Sequence, residues 1–180
     1  MFNGCTSLKY APALPATTLA LECYYGMFDG CTSLTTTPAL PATTLAVNCY
    51  NGMFRGCTSL TSSPELPATT LVATCYSNMF NGCTGLTRAN LEGLDTTGVS
   101  NASNMFSGCE VLTDLKVTGL DMSEVTNIST MFLKCYLLPI IDLTGWKLDK
   151  LQTLTGAFNN CSAVTYIYGL EGFNASNVPS

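Results

Sequence analysis

Ten cysteines are the residues of this 180-residue chain best suited to chemistry. In ECYYGMFDGCTSL, residues 22–34, Cys23 and Cys31 flank a Met-Phe pair and two glycines, a composition that invites a metal or redox reading. A tetrahedral zinc site needs four converging ligands, usually with C-x2-C pairs and often histidine. The chain has no histidine and no C-x2-C pair, so no metal is expected. Without histidine, neither a Ser/His/Asp nor a Cys/His arrangement can be assembled. Asp95, Asp114, Asp121, Asp142 and Asp149 are spread along the sequence, and the glycines, such as Gly30 and Gly56, do not form a phosphate-cradling loop. No enzyme and no cofactor is expected.

The cysteine stretch is not unique: NCYNGMFRGCTSL at 48–60 and TCYSNMFNGCTGL at 74–86 repeat it. At a period of 26, Met1, Met27, Met53, Met79, Met105, Met131 and Ala157 share one column, followed by Phe2, Phe28, Phe54, Phe80, Phe106, Phe132 and Phe158. Cys5, Cys31, Cys57, Cys83, Cys109, Cys135 and Cys161 form another, and Leu8, Leu34, Leu60, Leu86, Leu112, Leu138 and Val164 lie three places on. Residues 27–52 and 53–78 agree at 17 of 26 positions, so the period is a true internal repeat. One solenoid domain, 1–180, with units starting at 1, 27, 53, 79, 105, 131 and 157, is expected. Met1 belongs to the repeat, which suggests a fragment of a longer protein cut in register.

These columns reinterpret the cysteines. Equivalent residues on adjacent coils approach disulfide distance, yet their side chains point the same way and seven is an odd number. A ladder of buried, free thiols beside the phenylalanines is the expectation, since unpaired cysteine behaves as a small hydrophobe. Cys23, Cys49 and Cys75 make a second, shorter column that gives way to Asn101 and Asn127. The Met and Phe columns are read as core.

Each coil must provide a strand and a return segment. The return segment reads as a helix: Leu45, Cys49, Met53 and Cys57 recur every four residues beside Phe54, with Thr43 or Thr44 after Pro41 as a cap and Gly56 as a stop. The strand reads from Leu112, Leu115 and Val117, and from Leu138, Ile141 and Leu143, an LxxLxL spacing. Pro12, Pro38 and Pro64, with Pro15, Pro41 and Pro67, keep the early strands short, because proline cannot donate to a ladder. Later units replace LPATTLAVNCYN by GLDTTGVSNASN and GLDMSEVTNIST with no break in the core columns. Seven coils spaced like strands should stack to about 30 Å.

The columns MFxGCTSL, LPATTL and GLDxSxVxN resemble the 26-residue repeats of BspA-like bacterial surface leucine-rich-repeat proteins, and the resemblance covers all 180 residues. It implies an α/β, right-handed leucine-rich-repeat solenoid of about seven coils, with short parallel strands on one face and helices or helical turns on the other. It also implies a secreted or cell-surface parent that adheres to a host or neighbouring-cell protein or glycan.

Composition narrows the partners. Charged residues are 11% and hydrophobic residues 47%, with mean hydropathy +0.28, so the chain folds around a large core. A net charge of -5 and scattered basic residues disfavour nucleic acid, and no apolar run is long enough for a membrane-spanning helix. A monomer is expected. Asn-x-Ser matches at Asn101, Asn127, Asn160 and Asn174 read as caps and turns.

The outward strand positions are the candidate binding face. Units two and three offer only Thr35, Thr36, Thr61 and Ser62 there, whereas later units offer Arg88 and Asn90, Asp114 and Lys116, Ile140 and Asp142, then Tyr166 and Tyr168. Aromatic and arginine anchors favour a protein-binding, adhesin-like module. The near-identical early units favour a passive spacer instead. A third reading takes Thr35, Thr61, Thr87 and Thr113 as an ice- or crystal-binding array, against which Lys9 and Pro139 interrupt the column.

Overall fold

A computed structural model of the protein describes residues 1–68 and 71–170. Parallel bridges link residues 26 apart along the chain: Tyr10 with Thr36, Ser62 with Arg88, and Asn101 with Asn127 and then Thr153. One repeat is therefore one coil, stacked in register on the next.

Four strands of three residues mark one face: β1, Arg88–Asn90; β2, Asp114–Lys116; β3, Ile140–Asp142; and β4, Tyr166–Tyr168. Strands β1 and β2 pair in parallel, as do β3 and β4. In the proline-bearing units only isolated bridges form, as the missing donors required. The break between β2 and β3 has the same cause. The amides of Thr35, Thr87, Thr113 and Thr165 donate to the carbonyl 26 residues earlier. Pro139 stands in that column and has no amide to give.

The return segments correct the helical expectation, and with it the α part of the α/β class: no helix forms among the described residues. The apolar stripe from Leu45 to Cys57 is a run of tandem turns. Its period of four comes from left-handed residues, with Asn48, Gly52 and Gly56 at φ of 58°, 61° and 68°. A left-handed residue every fourth position cannot continue an α-helix. Gly56 thus is a corner of the run and no helix stop, and Thr44 sits in a parallel bridge with Thr18 and caps nothing.

Hydrogen bonding explains why turns win. Along this segment the amides alternate between two partners. Those of Cys49, Asn51, Met53, Arg55 and Cys57 donate three residues back, closing the turns. Those of Gly52, Phe54 and Gly56 donate to Ser77, Met79 and Asn81 on the next coil, at 2.9, 3.1 and 2.7 Å. A helix would satisfy its amides within itself, whereas this backbone directs three of these eight to the next coil.

The core runs the length of the stack. Phe28, Phe54, Phe80, Phe106 and Phe132 are fully buried, and the seven phenyl rings stack with centroids 5.6 to 6.1 Å apart. Tyr24, Tyr50 and Tyr76 form a second stack at 6.0 Å spacing. It ends where the sequence passes to the second repeat subtype, with Ala102 in the next position. Trp146 fills the later coils, and its indole N–H donates to the Val117 carbonyl at 2.7 Å.

Candidate functional site

The cysteines are structural. Cys31, Cys57, Cys83, Cys109 and Cys135 are buried, and their thiols donate to the carbonyls of Phe2, Phe28, Phe54, Phe80 and Phe106 at 3.0 to 3.3 Å. Burial pushes Cys57 and Cys135 up to about 12 and Cys83 and Cys109 well above an ordinary thiol. Such thiols stay protonated and are poor nucleophiles and ligands. Cys49 and Cys75 of the shorter column are likewise buried, with values near 11 and 12. The buried-ladder expectation fails only at the chain's first coil, where Cys5 and Cys23 are exposed, and at Cys161, which is half-buried. Among the described residues no group of His, Cys, Asp and Glu is placed to hold a metal ion.

Most of the threonine column is occupied as well. The hydroxyls of Thr35, Thr87, Thr113 and Thr165 donate to the carbonyls of Lys9, Thr61, Thr87 and Pro139, from 2.9 to 3.3 Å. Their donors bind coil to coil, which leaves a flat hydroxyl array little to offer ice or a crystal surface. Asn101 and Asn127 act as turn residues: their side-chain oxygens accept the amides of Ser103 and Ser129 at 2.8 Å. Asn160 is a left-handed corner, and Asn174 lies outside the described residues.

The eight outward residues of the later strands come together on one face. Register pairs Arg88 with Asp114 and Asn90 with Lys116, then Ile140 with Tyr166 and Asp142 with Tyr168. Between them Ala89 and Ile141 point inward and are buried. Alternation along a strand does this: neighbouring residues face opposite sides, so one buried position fixes two exposed ones. Arg88, Asn90, Asp114, Lys116, Ile140, Tyr166 and Tyr168 are exposed, and Asp142 is half-buried.

Opposite charges in register on this face are left open, unlike three pairs elsewhere. Arg55 with Asp29, Lys147 with Asp121, and Lys150 with Glu124 are ion pairs between residues 26 apart. Arg88 and Asp114 share that spacing, yet among the described residues no salt bridge joins them or involves Lys116. Beside this end of the face, Pro64, Glu65, Leu66 and Pro67 wall an open groove of about 470 Å³ that reaches Arg88, Asn90 and Lys116.

One feature has no counterpart in the sequence patterns. The hydroxyls of Tyr50 and Tyr76 are buried and find no hydrogen-bond partner among the described residues. Tyr76 borders a small cavity of about 20 Å³ with Thr96, Asn101 and Met122, at the junction of the two repeat subtypes.

Stacked coils with short parallel strands define a leucine-rich-repeat solenoid, and a solved structure agrees. The chain is similar to the TLR13 chain of a TLR13–ssRNA13 complex, at 18% identity and a TM-score of 0.53, over 93% of this chain and 24% of that one. A leucine-rich cell surface protein from Faecalibacterium prausnitzii A2-165 is also similar at 18% identity, with a TM-score of 0.38, over 98% of this chain and 63% of that one. The chain thus spans about a quarter of the first and under two thirds of the second. Residues 48–170 match the family described as "Mycoplasma protein of unknown function, DUF285", and the chain belongs to that family. The BspA-like leucine-rich-repeat resemblance read from its columns is borne out. Among curated proteins, no sequence matches it.

Proposed function

We propose that the chain is a non-catalytic, adhesin-like protein-binding module of a cell-surface protein, forming one solenoid domain over 1–180. Its partner is a host or neighbouring-cell protein or glycan, met by a monomer through the face of Arg88, Asn90, Asp114, Lys116, Ile140, Asp142, Tyr166 and Tyr168. The observation that carries this reading is the contrast in charge use. Three inter-coil ion pairs close elsewhere, while among the described residues Arg88, Asp114 and Lys116 form none although Arg88 and Asp114 are in register. The same face carries exposed tyrosine rings on later coils. Interfaces draw on arginine and tyrosine anchors of this kind. The core thiols, held protonated, support a scaffold with no catalytic part.

The test is a binding screen of the chain against extracellular-matrix proteins and glycans, repeated with the R88A/Y166A double variant. Binding that the double variant loses while its circular dichroism and unfolding midpoint stay put supports the module. A passive spacer is the second reading, favoured by the early coils, whose Thr35 hydroxyl is already used between coils. Silence across the screen would establish the spacer in its place.

A further inference from the structure

We propose that the β3–β4 end of the face is a seat for an arginine side chain of a protein partner, formed by Tyr166, Tyr168 and Asp142. The proposal rests on the protein-binding reading above and adds the chemistry of the partner.

Three observations carry it. Tyr166 and Tyr168 project from the same side of β4, 60% and 44% exposed. Their rings lie 5.8 Å apart and 10° from parallel, so they face each other and leave their outer faces to a ligand. Asp142 is paired in register with Tyr168, which places the two residues' backbones on neighbouring strands about 4.8 Å apart. One carboxylate oxygen, Oδ1, accepts the Thr144 amide at 3.0 Å, which orients the group, and among the described residues Oδ2 has no hydrogen-bond partner. No cation of this chain claims it: among the described residues, no salt bridge includes Asp142.

A tyrosine face attracts a cation through its ring quadrupole, and a nearby carboxylate adds a charge-assisted hydrogen bond. A guanidinium satisfies both at once, stacking its plane on a ring while its N–H groups reach the carboxylate. Lysine, a compact charge with a strong hydration shell, gains less. Exposed Ile140, in register with Tyr166, offers an apolar wall to the methylene stem of the arginine. The net charge of -5 favours approach of a basic segment.

The probe is a capped pentapeptide, Thr-Arg-Thr-Arg-Thr, titrated into the whole chain with ring-labelled tyrosine and followed by NMR. Peptides carrying lysine, citrulline or glutamate in place of arginine, and a maltohexaose sample, run alongside. Saturable shifts of the Tyr166 and Tyr168 rings are expected with the arginine peptide, weaker with lysine, and absent with citrulline or glutamate. D142N should weaken the arginine peptide about tenfold and Y168A should abolish the response. Both substitutions lie on the surface, and retained shifts of the buried tyrosines, Tyr50 and Tyr76, report an intact fold. Shifts with maltohexaose and none with the arginine peptide would replace the arginine seat by a glycan site. A partner from the binding screen that needs Arg88 but ignores D142N and Y168A would remove this inference and keep the protein-binding reading. Silence in both experiments removes both.

Discussion

The thiol of Cys83 donates to the backbone carbonyl of Phe54, 29 residues earlier, at 3.0 Å. The same bond recurs from Cys31 to Cys161, so each of these cysteines works as a protonated donor that ties one coil to its neighbour.

Alkali should therefore loosen the stack. Burial first, and neighbouring thiols after it, raise Cys57, Cys75 and Cys135 from 9.0 to about 12. A group that is acidic and harder to ionise when folded stabilises fully below its unfolded value. That stability is lost as pH climbs from about 9 toward 12, because the unfolded chain ionises first. The urea midpoint is expected to fall steadily between pH 8.5 and 11.5, and to fall less steeply in C57A/C83A. A midpoint that stays level across that range would contradict the account.

Gly52 separates tandem turns from a helix. With φ at 61° and open space where a Cβ would stand, Gly52→Ala is strained by conformation alone. A left-handed alanine costs about 1–2 kcal/mol. In a helix the same change would stabilise by about 0.5–1 kcal/mol. Chemical denaturation of G52A gives the sign directly.

Phe80 is fully buried between Phe54 and Phe106, with ring centroids 5.9 and 5.7 Å away. Phe80→Ala should cost about 3–5 kcal/mol, the range for deleting a large aromatic from a core. A loss under 1 kcal/mol in calorimetry would mean that the phenyl column is not the spine of the fold.

Tyr76 offers the opposite case. Its hydroxyl is buried without a partner, so Tyr76→Phe removes a desolvated group and keeps the ring stacked on Tyr50. A gain of about 1 kcal/mol is expected from denaturation curves. A loss of similar size would mean that the hydroxyl is satisfied in solution.

The stacked coils and the outward residues were legible in the sequence because both depend on period alone. Seven copies aligned the Phe, Cys and Leu columns, and the alternation around Ala89 and Ile141 then fixed which neighbours face out. The return segment was misread since a four-residue apolar period is shared by an α-helix and by tandem turns. Asn48, Gly52 and Gly56 carried the distinction, being poor helix residues that tolerate left-handed backbone. Pro139 hinted at the ladder break through its missing amide. The partnerless tyrosine hydroxyls and the open charge of Arg88 were out of reach, because they depend on what packs around each side chain in space.

The alternation of amides between turn closure and the next coil has a genetic consequence. Every coil binds only the two displaced from it by 26 residues, so unequal recombination in whole repeats changes the length of the protein and spares each junction's chemistry. Excising residues 53–78 is expected to leave a cooperatively unfolding protein one coil shorter, whereas excising residues 53–65 should abolish the transition. A lineage can thus lengthen or shorten such a protein in single steps, while point mutations on the outward strand positions change only the exposed face.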